Sequence, residues 1–213
     1  MTIAEWDSAR IRERLLRVGE RSRSRSVFGV EGHHFCLRDP ATEEAIVAVE
    51  QRLAVTFPPA YRLFMSEVSD GGPGPGYGIS PLGCSGDTAD SSPPWDDQDL
   101  GFPSRPFPHD DAWNLPDEEF VCPPGLSQEQ EDRWYGEHDE RYFDPALAAG
   151  TIRIGHLGCA MWVLLIVTGS RAGEVWIDDR GSDHGIYPAE PCRFDEWYLS
   201  WLKEVEEKTL QAP

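Results

Sequence analysis

The chain has 213 residues, of which 39% are hydrophobic and 11% aromatic, enough for one large domain whose core needs no disulfides. A formal charge of −19 and a pI near 4.6 argue against binding nucleic acid or an anionic membrane through the bulk surface, and favour a basic partner. Cys36, Cys84, Cys122, Cys159 and Cys192 are scattered, odd in number and without a C-x-x-C pair, which argues against a disulfide framework or a zinc ribbon.

Residues 3–18 read as a helix with Trp6, Ile11, Leu15 and Val18 broadly on one face, followed by an SRSRS loop at 22–26. The first 18 residues include acids and lack an uninterrupted apolar stretch, so no secretory signal is expected and the location is cytoplasmic. This N-terminal part, residues 1–38, holds eight arginines against five acids. Asp39 is placed to cap a second helix, with Pro40 at its first position, Glu43 and Glu44 at the positive end of its dipole, and Ile46, Val49 and Leu53 as its buried stripe. Pro59 starts a third helix through Val68, with Tyr61, Met65 and Val68 at helical spacing and Asp70, Gly71 and Gly72 as its stop. Residues 74–86 suggest a short strand between glycine-rich turns. They lack the GK[ST] of a phosphate loop.

Residues 87–140 hold sixteen acidic residues against only Arg105 and Arg133. Their first half, rich in Pro and Asp and without a sustained period, reads as a long loop or insertion anchored by Trp95, Phe102, Phe107 and Trp113. Residues 127–143 read as a charged surface helix with Trp134 and Tyr135 as packing points. Three strands follow. Residues 151–156 alternate with Ile152 and Ile154 on one face, residues 161–168 form a nearly continuous apolar run, and in 174–178 Val175 and Ile177 oppose Trp176. The longest apolar run, 159–167, falls far short of the roughly 18 residues of a membrane span. After a Gly/Pro-marked loop, Phe194, Trp197, Trp201 and Val205 recur at the spacing of an amphipathic helix that covers the sheet.

Two blocks carry a family likeness. VTFPPAYRLFMSEVSDGG, after the helix ending near Leu53, and GTIRIGHLGCAMWVLLIVTGSRAGEVWIDD, followed by FDEWYLSWL, resemble in content and order the SUKH superfamily of fungal cell-wall-synthesis regulators and bacterial toxin-immunity proteins. Asp70 stands where that family often has an asparagine before the double glycine. The resemblance implies an α+β fold, a single SUKH-like domain over 1–213 with a mainly antiparallel sheet flanked by helices, interrupted by an acidic central insertion at 87–145. It also implies a binding role rather than catalysis, and no cofactor.

Chemistry-bearing residues are present without a recognised geometry. His33 and His34 are adjacent, and in a strand would face opposite sides. His109 with Asp110 and Asp111 offers imidazole and carboxylates, but in a proline-rich acidic loop without metal-ligand spacing. His138, Asp139, His156, Asp183 and His184 add acid/base groups, and the pairs Asp96–Asp97 and Asp178–Asp179 read as surface carboxylates. With no G-x-S-x-G or H-E-x-x-H motif, no catalytic or metal-binding residue is assigned. The favoured expectation is a cytoplasmic immunity protein that binds a cognate protein toxin, a basic nuclease being the class its charge fits. Asp96, Asp97, Asp99, Asp110, Asp111, Asp117, Glu118 and Glu119 would be its contact carboxylates, with Trp95 and Trp113 as aromatic anchors. A regulatory scaffold and a metal-assisted hydrolase centred on His109 are the alternatives.

Overall fold

The computed structural model describes residues 6–21, 27–82 and 102–211. Helices α1 (Ser8–Arg21), α2 (Val30–His33), α3 (Glu43–Leu53) and α4 (Pro59–Leu63) are followed, among the described residues, by α5 (Gln128–Tyr142). Strands β1 (Thr151–Gly158), β2 (Met161–Ile166), β3 (Glu174–Asp178) and β4 (Ile186–Arg193) then form an antiparallel meander in that order, closed by α6 (Phe194–Gln211). The fold is α+β.

Strand alternation divides the core in two. Ile152, Ile154, Val163, Leu165, Val175 and Ile177 point to one face, where Ile11, Ile46, Tyr61, Phe64 and Leu202 from the helices meet them. The other face carries Leu164, Ile166, Trp176 and Ile186, each at most 1% exposed, although no helix of the N-terminal group lies there. Phe107, Trp113, Leu147 and Ala148, all from the segment before β1, cover it. The described residues therefore form three layers, of which the third is the described part of the acidic segment with the turn that follows it.

Several local expectations shift. Thr42, not Asp39, caps α3, its Oγ1 accepting from the Ala45 N–H at 3.2 Å. The third helix is α-helical only through Leu63, and Phe64–Val68 is a π turn. The Met65 carbonyl at that turn accepts from the Ala41 N–H at 2.8 Å, which ties the widened turn to the chain entering α3. In place of the strand expected at 74–86, the described part makes a bridge, Gly72 to Ile79, and pairs with the outer edge of β1. Tyr77 and Ser80 donate to the carbonyls of His156 and Ile154 at 3.1 and 2.8 Å. Residues 186–193, read as loop, form β4.

His33 and His34 close α2 rather than lying in a strand, yet they still diverge, His33 being 6% exposed and His34 at the surface. The His33 ring packs edge-on to Phe35 and Trp201, and its Nδ1 accepts from the Phe35 N–H at 3.0 Å. Burial, reinforced by His34 and opposed by Glu31, pushes its pKa down to about 4. In the unfolded chain the ring titrates near its ordinary value, so between the two pH values the unfolded state binds the extra proton. The neutral ring's contribution is complete above the unfolded pKa and is lost as pH falls toward about 4, a span worth about 3 kcal/mol. Urea titrations across that window should show His33→Gln losing less stability on acidification than the parent. Parallel losses would remove His33 as the cause.

Candidate protein-binding face

The described stretch from residue 102 to Gly150 is pinned to the sheet on either side of α5. Before α5 the Phe107 N–H donates to the Thr168 carbonyl at 3.0 Å, and after it the Gly150 carbonyl accepts from the Val167 N–H at 2.7 Å. Between them Trp113 pairs with β4, exchanging hydrogen bonds of 2.8 Å in both directions with Ile186. Gly185 permits that approach: its φ is +75°, and a Cβ there would lie 2.0 Å from the Trp113 carbonyl oxygen. The Asp110 carbonyl also accepts from Arg171 in the β2–β3 connection.

Helix α5 starts with a capping box, Ser127 with Gln130, and turns Trp134, His138 and Tyr142 inward at i, i+4 and i+8. The three rings form a column with centroid spacings of 5.3 and 5.6 Å, and Trp113 stacks on Tyr142 at 5.7 Å. Phe120, from the 3-10 turn Asp117–Phe120, meets Tyr142 edge-on at 5.0 Å. Tyr142 is fully buried. Its hydroxyl donates to Asn114 Oδ1 at 2.7 Å and accepts from the Gly185 N–H at 3.1 Å.

The C-terminal end of α5 is held by one cation. Arg180, 5% exposed, makes a two-pronged bond to Asp178, 2.7 Å to each oxygen, while its Nη1 donates to the carbonyls of Tyr142 and Asp144 at 3.0 and 3.3 Å. Asp178 and Asp179, read as surface carboxylates, are each only 4% exposed. Asp179 Oδ2 accepts from His184 at 2.9 Å.

Against this frame the expected contact residues divide. Asp110, Asp111, Asp117 and Glu118 are exposed. Glu119 is partly covered and pairs with Arg141. Trp113 is also partly covered, its ring engaged by Tyr142 and His109, so its position serves the packing of the acidic layer. Trp95, Asp96, Asp97 and Asp99 lie outside the described residues. The His109 ring is turned into the same layer. Burial lowers its pKa, opposed by the Leu147 carbonyl, to which its Nε2 donates at 2.7 Å.

The charged surface helix expected at 127–143 is α5, with Glu129, Asp132, Glu137, Asp139 and Glu140 exposed on it, but Tyr135, expected as a packing point, stands 51% exposed among them. The signal was present in the spacing. Once Trp134, His138 and Tyr142 are taken as the inward stripe, Tyr135 must point away from it. The face thus combines a fixed aromatic base with carboxylates and a protruding tyrosine, an arrangement suited to recognising a basic protein surface.

Among the described residues no helix is long and apolar enough to cross a membrane. Comparison with curated proteins and with solved structures gives no match. The model of the SMI1 / KNR4 family (SUKH-1) matches residues 40–200, which take in the first sequence block, the second as far as Ser200, and all four strands. The chain belongs to the SMI1 / KNR4 family (SUKH-1).

Proposed function

We propose that this protein is a non-catalytic binding domain that captures and neutralises a cognate protein toxin in the cytoplasm. The observation that carries the reading is the acidic layer itself, whose carboxylates stand on a base packed against the sheet. A fixed acidic surface meets a basic partner with little ordering cost, and its field speeds encounter. A nuclease toxin, which must attract phosphates, has the complementary surface. Asp110, Asp111, Asp117 and Glu118 would supply the described charge, with Asp96, Asp97, Asp99 and Glu119 as further contacts. Tyr135 would be the aromatic anchor, added to the Trp95 and Trp113 of the sequence reading. Family membership agrees with an immunity or a regulatory role.

The hydrolase reading has less support, because the His109 Nε2–H is already engaged by the Leu147 carbonyl. Co-expression with the products of adjacent genes tests the proposal. One of them should be toxic alone, harmless with this chain present, and recovered in complex with it. If none is toxic yet one still binds, the regulatory scaffold takes the place of the immunity reading.

A further inference from the structure

Helix α5 turns one stripe inward, and the flank beside that stripe is open. At 3.6 residues per turn, Asp132, Tyr135, Asp139 and the C-cap residue Phe143 fall within about 80° of one another there. Both carboxylates are exposed, and the two rings are 51% and 47% exposed. Tyr135 and Phe143 are two turns apart, about 12 Å along the axis, with Asp139 midway.

Both exposed rings are braced by the inward stripe. Trp134 meets Tyr135 edge-on at 5.0 Å, and Tyr142 meets Phe143 edge-on at 5.2 Å. Anchors held in this way before binding lose little freedom when a partner covers them.

Charge is divided across the helix. Both arginines of α5 lie on its other side, Arg133 paired with Glu129 at 3.9 Å and Arg141 paired with Glu119. On the open flank Asp132 accepts from Gln128 Nε2 at 2.9 Å, and Asp139 Oδ1 lies 3.5 Å from His138 Nδ1. Neither carboxylate meets an arginine or a lysine among the described residues.

Two residues here work against the helix that carries them. Gly136 has the poorest helix propensity short of proline, yet a Cβ at that position would meet nothing within 4 Å, so packing inside the chain does not require it. Asp139 sets a carboxylate in the last turn, at the negative end of the helix dipole. Both choices favour docking. Gly136 lowers the ridge beside Tyr135 so that a second helix axis approaches closely, and Asp139 offers charge to a cation that this chain does not supply.

We propose that this flank of α5 docks an amphipathic helix of the basic partner, with two apolar side chains two turns apart and an arginine between them. The apolar pair packs on Tyr135 and Phe143, and the arginine meets Asp139, with a further cation at Asp132. Such a helix presents its i, i+4 and i+8 side chains on one stripe at the spacing of the three central receiving groups. The inference rests on the acidic-face reading for the sign of the partner, and not on the partner being a toxin.

The test is an amide chemical-shift titration of the full chain with three alanine–glutamine helical peptides. The first carries two leucines eight residues apart, an arginine midway and a second arginine three residues beyond; the second has glutamates for the arginines; the third is an isomer of the first with its leucines on opposite helix faces. The first should shift the Tyr135, Gly136, Asp139 and Phe143 amides and bind at least about fivefold more tightly than either of the others. Tyr135→Ser and Asp139→Asn should each weaken that binding, and Gly136→Gln should weaken it while raising the urea midpoint, which separates docking from folding. Equal binding of the arginine peptide and its isomer, lost on joint reversal of Asp110, Asp111, Asp117 and Glu118, overturns the helix-docking strip and leaves the acidic-face reading standing. Equal binding of the arginine and glutamate peptides overturns both. Concentration-dependent broadening of the same amides without any peptide assigns the flank to a second copy and overturns the inference, as does unchanged binding in Tyr135→Ser and Gly136→Gln.

Discussion

Arg180→Met should destabilise the protein by about 3–5 kcal/mol, because it strands the Asp178 carboxylate in a site only 4% exposed. The guanidinium does two things at once. It neutralises Asp178 through both oxygens, and it carries the carbonyls of Tyr142 and Asp144, which leave the end of α5. Losing it therefore removes a charge partner and the bond between sheet and acidic layer together. Urea unfolding followed by tryptophan fluorescence measures the loss, and Asp178→Leu combined with Arg180→Met should recover much of it, since an apolar pair leaves no buried charge. A cost below about 1 kcal/mol for the single variant would mean that Asp178 is solvated and that the layer is held elsewhere.

Tyr142→Ala should cost a similar about 3–5 kcal/mol, the usual range for deleting a fully buried aromatic ring. Its ring joins Trp113, Phe120 and His138, so the variant removes the common wall of the layer's aromatic base. Tyr142→Phe keeps the ring and deletes only the hydroxyl between Asn114 and Gly185, for which about 1–3 kcal/mol is expected. Hydrogen exchange localises the effect. The Trp113 and Ile186 amides, which bond to each other's carbonyls, should lose protection in Tyr142→Ala before those of β2 do. Protection that falls uniformly would show that layer and sheet open as one unit.

Much of this architecture was legible because it follows simple periods. The helical spacing of Ile11, Leu15 and Val18, and the alternation of Val175 and Ile177 about Trp176, each declare a buried face without reference to any partner element. Strand β4 was not legible, because Pro188 and Pro191 in IYPAEPCR erase the strand signature. Such prolines are tolerated on an edge strand, where half the amides need no partner in the sheet. The first half of the acidic segment read as a loop because its anchors are irregularly spaced in sequence: Phe107 and Trp113 meet Trp176 and Tyr142 only after the chain folds back on the sheet. The buried state of Asp178 was hidden for the same reason. A DD pair beside an arginine looks solvent-facing until the carbonyls that complete the Arg180 shell are in place.

The central claim is that the acidic layer is a preorganised surface for a basic partner. Its most direct test is the association rate between this chain and the partner recovered by co-expression, measured from low to high ionic strength. The parent should associate fast at low salt and slow steeply as salt rises, while joint reversal of Asp110, Asp111, Asp117 and Glu118 to lysine should reduce the low-salt rate by about tenfold or more and flatten the salt dependence. An association rate that responds neither to salt nor to these reversals would contradict the claim.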